Sequence, residues 1–77
     1  MTQPRLMSGR ETVRIFQALG WQVARQRGSH IILVRTGSIA TLSVPDHKEV
    51  ARGTLRGLIR AADMLVDDFN ATADRIL

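Results

Sequence analysis

Cysteine and tyrosine are both absent from this 77-residue chain, and its aromatic side chains are one Trp and two Phe. Without cysteine there is no disulfide framework, no thiolate metal site and no cysteine nucleophile. No apolar run approaches the roughly 20 residues needed to span a bilayer, and Met1-Thr2-Gln3-Pro4-Arg5 contains no signal-peptide core. A cytoplasmic chain with no membrane partner is expected. The sequence also lacks a glycine-rich phosphate loop, a nucleophile elbow and a His-x-x-x-His pattern. His47, flanked by Asp46 and Glu49, is too sparse a set to specify a metal site. No metal and no cofactor are therefore expected, which leaves acid–base groups and fixed charge as the available chemistry.

The remaining composition is that of a globular protein, 44% hydrophobic and 23% charged. The length allows one domain, here residues 8–77, behind a leader at 1–7 that is expected to be disordered. A domain this small buries only about 60% of its unfolded surface and has little stability to spare. Charge is unevenly spread. Residues 1–60 carry ten Lys/Arg against Glu11, Asp46 and Glu49, which gives +7; residues 61–77 carry Arg75 against four Asp, which gives −3. A basic body favours polyanionic ligands, nucleic acid first, over a merely solvated surface.

Ser8-Gly9-Arg10-Glu11 has the form of a capping box, and Val13, Phe16 and Leu19 follow at helical spacing, with Ile15 flanking. The first helix is predicted over 9–19, stopped by Gly20. Residues 21–27 alternate large and polar side chains as a half-buried strand does. Gly28-Ser29 is a turn, 30–35 a second strand, Thr36-Gly37-Ser38 another turn, and 39–44 a third strand ended by Pro45. Short connections predict an antiparallel meander. Strand two, Ile31-Ile32-Leu33-Val34, is apolar on both faces; its outer face is either tolerably exposed or covered by a partner. A second helix is predicted over 54–62, burying Leu55, Leu58, Ile59 and Ala62 and carrying Arg52, Arg56 and Arg60 along another side. A last helix, 67–76, offers Phe69, Ala73 and Ile76 to the core, with Asp67 and Asp68 suited to its N-terminus. The class is α+β: α-β-β-β-α plus a short extra helix, a three-stranded antiparallel sheet with helices on one face. This is the outline of a double-stranded-RNA-binding-domain-like fold.

The two histidines lie among cations. His30 follows Gly28-Ser29 with Arg25 and Arg27 upstream; His47 follows strand three and precedes Lys48 and Arg52. RNA carries its own nucleophile, the 2′-OH. Cleavage needs a base to take that proton, an acid to protonate the leaving 5′-oxygen, and cations on the phosphate. Imidazole can act as either the base or the acid. A lone His beside a turn is more often a hydrogen-bonded structural residue, and an arginine stripe is as often a solvated helix face. On the residues alone both readings stand. So do an RNA-binding module without catalysis and, last in rank, a DNA-binding role for the second helix.

Five strings occur here in order: Ser8-Gly9-Arg10-Glu11, Gly20-Trp21, Arg25-Gln26-Arg27-Gly28-Ser29-His30, Val44-Pro45-Asp46-His47 and Arg52-Gly53-Thr54-Leu55-Arg56. Together they resemble the HicA (YcfA-like) family of toxin mRNA interferases over about residues 7–70. The resemblance implies a double-stranded-RNA-binding-domain-like fold and cleavage of mRNA to block translation. It also implies neutralisation by a HicB-like antitoxin, with the toxin monomeric alone and part of a larger complex with that partner. The family's catalytic histidine maps onto His30, with Gly28 and Ser29 beside it. Arg25, Arg27, His47, Lys48, Arg52, Thr54 and Arg56 form the supporting or RNA-binding set. The chain departs from the family where Arg60-Ala61-Ala62-Asp63 replaces Arg-Gln-Ala-Gly, which removes the expected glycine cap of the second helix. Strand two also has Ile31-Ile32-Leu33 where aromatic or polar residues are common.

Overall fold

The computed structural model describes residues 3–77. Its elements are α1 (Gly9–Ala18), β1 (Gln22–Arg27), β2 (His30–Val34), β3 (Leu42–Pro45), α2 (Arg52–Ala61) and α3 (Val66–Ile76). The sheet order is β1-β2-β3, with both pairs antiparallel, so the expected meander is observed. Ile31 and Leu33 of β2 join Leu42 and Val44 of β3 beneath the helices, around Phe16 and Phe69, whose rings lie 5.3 Å apart. Among the described residues no helix lies on the opposite face of the sheet.

Helix α1 begins as expected. The Ser8 hydroxyl accepts from the Glu11 amide at 3.0 Å, and the Glu11 carboxylate accepts from the Ser8 amide at 2.9 Å. Gly20 follows with φ +98°, which costs a glycine little. Trp21 lies outside β1 and is buried edge-on against Phe16, with the Arg35 guanidinium 5.1 Å from its ring centroid. Helix α2 starts at Arg52 rather than Thr54. Its first turn closes from the Leu55 amide to the Ala51 carbonyl, so Thr54 is inside the helix and caps nothing.

Two further expectations are corrected. Strand β1 is not half-buried: all six of its residues are exposed, because it is an edge strand that α1 only partly covers. Residues 3–7 are not a free leader. Pro4 and Met7 are buried, the Met7 carbonyl accepts from Val50, and Asn70 bridges the Gln3 carbonyl and the Arg5 amide. Arg5 also pairs with Asp74 at 2.9 Å. The partners that hold this segment lie more than 40 residues away in sequence, so no local pattern announces them. Residues 1 and 2 of the expected leader lie outside the described residues.

The missing glycine cap of α2 is supplied by an aspartate. The Asp63 amide donates to the Arg60 carbonyl and the Met64 amide to the Ile59 carbonyl, the two bonds of a Schellman motif. Asp63 accordingly adopts φ +58°, and among the described residues no other non-glycine has a positive φ.

Candidate functional site

The helix-free face of the sheet is set by a bulge. Register runs Gln22↔Val34 and Val23↔Leu33, then skips Ala24 and resumes Arg25↔Ile32, Gln26↔Ile31 and Arg27↔His30. Without the extra residue, Val23, Arg25 and Arg27 would share one face. With it, Val23 turns toward α1 while Arg25 and Arg27 turn to the open face beside Ile32 and His30. Across β2, Ser43 lies opposite Ile32 and Pro45 opposite His30, on the same open face.

A shallow depression of about 490 Å³ lies there, lined by Arg27, Gly28, His30, Ile32 and Ser43. Gly28 opens the two-residue β1–β2 turn with φ +56°, the pattern of a II′ hairpin. A Cβ there would meet nothing within 4 Å, so conformation rather than crowding requires the glycine. Asp46 fastens this turn to the end of β3 through its amide, which donates to the Ser29 carbonyl at 2.6 Å.

His30 is exposed at the rim, and its imidazole makes no hydrogen bond among the described residues. Arg25 and Arg27 form no ion pair among the described residues; the two ion pairs there use Arg5 and Arg10. No carboxylate lines the depression. The site is therefore electropositive and open, with an imidazole that a ligand can reach. The Ser29 hydroxyl makes no hydrogen bond among the described residues, so it is free to meet a ligand.

The remaining expected residues are spread over neighbouring segments. His47 and Lys48 are exposed in the loop after β3, where the His47 carbonyl accepts from the Gly9 amide at 2.8 Å. Arg52 and Thr54 occupy the first turn of α2. None of these four lines the depression. Arg56 lines a separate one with Arg60, Met64 and Leu65, so the arginine stripe does not converge on His30. Two lining residues, Ile32 and Ser43, were not expected as part of the site. Alternation along β3, with Leu42 and Val44 inward, places Ser43 outward, but only the register sets it beside His30. The apolar outer face expected of β2 is also smaller than its sequence implies. Ile32 is 8% exposed, and Val34, at 38%, is what remains open. Among the described residues no group of three His, Asp or Glu gathers as a metal site, and no helix is long and apolar enough to cross a membrane.

Residues 9–64, most of the chain, match the model of the HicA toxin of bacterial toxin–antitoxin systems. The chain belongs to the HicA toxin family. A solved chain from a toxin–antitoxin complex of Streptococcus pneumoniae superposes with a TM-score of 0.67 at 30% identity, over 75% of this chain and 98% of that one. No curated protein sequence matches significantly. The α+β architecture is thus that of the HicA family, and the chain is a toxin of the toxin–antitoxin type. Segments outside the match, residues 3–8 and 65–77, supply the contacts between the N-terminal segment and α3.

Proposed function

We propose that this HicA-family chain is an endoribonuclease that cleaves mRNA through His30 without a metal cofactor, and that a HicB-like antitoxin neutralises it. The observation that carries the reading is the conjunction on the open face. An imidazole without a partner sits in a depression whose rim supplies Arg27 and whose adjoining strand supplies Arg25, with no carboxylate to repel a phosphate.

In this reading the backbone of a single strand lies along β1 and β2. Arg25 and Arg27 hold non-bridging phosphate oxygens and stabilise the charge that develops on them. His30 takes the proton from the 2′-OH, whose oxygen attacks phosphorus, or donates a proton to the departing 5′-oxygen. The opposite transfer falls to His47, Lys48 or water. The P–O5′ bond breaks as the O2′–P bond forms, leaving a 2′,3′-cyclic phosphate and a 5′-hydroxyl. The toxin-family membership and the solved toxin–antitoxin relative support the antitoxin partner.

The test is cleavage of end-labelled single-stranded RNA in EDTA. His30→Ala is expected to lower the rate by about 10²–10⁴-fold, the worth of one general acid or base, while keeping the fold. Products should carry 5′-hydroxyls. A folded His30→Ala chain that cleaves at the parent rate, or products with 5′-phosphates, would overturn the mechanism. Tight binding of RNA that stays intact would favour the non-catalytic module.

A further inference from the structure

A second surface lies on the other side of β1 from His30. Val13, Val23 and Ile31 form the floor of a groove of about 440 Å³ between α1 and β1, rimmed by Arg10, Arg14 and Gln26. Val23 is 46% exposed there because the bulge at Ala24 turns it toward a helix that does not reach over it. Among the described residues the outer edge of β1 is also unpaired. The other sheet edge, β3, is four residues long, ends at Pro45 and packs against α2. Of the two sheet edges, β1 is the longer, six residues against four.

We infer that β1 is a docking edge for an extended acidic segment of a partner protein, which adds a fourth antiparallel or parallel strand with carboxylate and apolar side chains alternating. The inference rests on the reading that this toxin has a protein partner, and it specifies where and how that partner binds. A strand laid on β1 presents its side chains alternately to the two sides of the sheet. On the helix side they meet the apolar floor of Val13 and Val23. On the open side they meet Arg25 and Arg27, which form no ion pair among the described residues.

The same residues select against other occupants. A second copy pairing β1 to β1 would bring Arg25 and Arg27 against their own counterparts, and like charges across a strand pair are destabilising. Charged residues and a bulge are the usual guards of a free edge. Here the guards are all cationic, so they repel a basic strand and attract an acidic one. RNA has no use for an apolar floor that faces away from the open face.

The test uses the full-length 15N-labelled chain and a six-residue peptide alternating Val and Glu, matched to the six residues of β1. A peptide of the same composition, with its Val residues before its Glu residues, is the control. The alternating peptide is expected to shift the amides of Gln22–Arg27 and Val13 and slow their hydrogen exchange. Val23→Lys should weaken this docking about tenfold or more, since it removes the apolar contact and adds a cation to the groove. RNA cleavage by Val23→Lys should match the parent, and His30→Ala should dock the peptide normally, so failure of docking and failure of catalysis are separable. Equal binding of the control peptide, protection on β3 instead of β1, unchanged affinity in Val23→Lys, or concentration-dependent protection of β1 without peptide would each overturn the inference.

Discussion

Gly9 is the position at which the smallest change should cost most. A Cβ built there lies 2.0 Å from the Pro45 carbonyl oxygen, 3.0 Å from its carbon and 3.1 Å from Asp46 Cα, all backbone atoms with no rotamer to relieve them. Ordinary contact begins near 3.4 Å, so α1 and the end of β3 must part by about 1.4 Å. That movement breaks the 2.8 Å bond from the Gly9 amide to the His47 carbonyl. Overpacking costs about 1–3 kcal/mol and the lost bond about 0.5–1.5 more, so Gly9→Ala should cost about 2–4 kcal/mol. Against a total near 4–12 kcal/mol for a chain of this length, that is a large share. The melting temperature should fall by about 10–25 °C. Gly57→Ala is the matched control: it lies within α2, its Cβ would meet nothing within 4 Å, and it should gain about 0.5–1 kcal/mol. Urea unfolding followed by circular dichroism measures both. A Gly9→Ala chain within about 0.5 kcal/mol of the parent would refute the claim that this approach is rigid.

Asp63→Gly should stabilise the chain by about 0.5–1 kcal/mol, because it keeps the Schellman bonds and removes the strain of a side chain at φ +58°; a lower melting temperature would show that the aspartate side chain contributes more than its backbone costs. The Glu11 carboxyl is held below its ordinary value of 4.5, chiefly by the Ser8 amide that donates to it. The stability it contributes is therefore present above pH 4.5 and is lost as pH falls through the lowered folded value, so Glu11→Gln should flatten acid unfolding in that window. Ala51→Asp should stabilise α2 by about 0.5–1 kcal/mol, since its first-turn amides have no side-chain cap; an unchanged urea midpoint would contradict this.

What could be read from sequence divides by range. The capping box, the Gly20 stop, the inward faces of α2 and α3 and the Gly28 turn are decided within a few residues, and each was legible. The start of α2 was placed two residues late because Ala51 has no capping side chain, so nothing local marks the true N-terminus. The docking of residues 3–7 was invisible because Asn70 and Asp74 hold it from the far end of the chain. At the site, His30, Gly28 and Arg27 followed from one local string. Ser43 required the β2–β3 register, and Arg56 was grouped with the site by helical spacing that in fact carries it to another surface.

The bulge at Ala24 belongs to neither category, and both surfaces depend on it. Nothing about an alanine between Val23 and Arg25 signals an extra residue, and plain alternation through 22–27 reads as a regular strand. The choice is made by the two strand ends. From the Gly28 turn backwards, the hairpin register pairs Arg27 with His30 and sends Arg25 to the same open side, where water solvates both. From Gly20 forwards, the buried Trp21 and the floor beneath α1 draw Val23 inward. These two demands differ in phase by one residue, and only an insertion satisfies both. Shifting either end by one residue instead would turn Arg25 away from the open face toward α1 or place Val23 over the site. The same bulge therefore gathers the cations around His30 and leaves an apolar groove behind them, so the proposed cleavage and the proposed docking can be tested by separate substitutions on one strand.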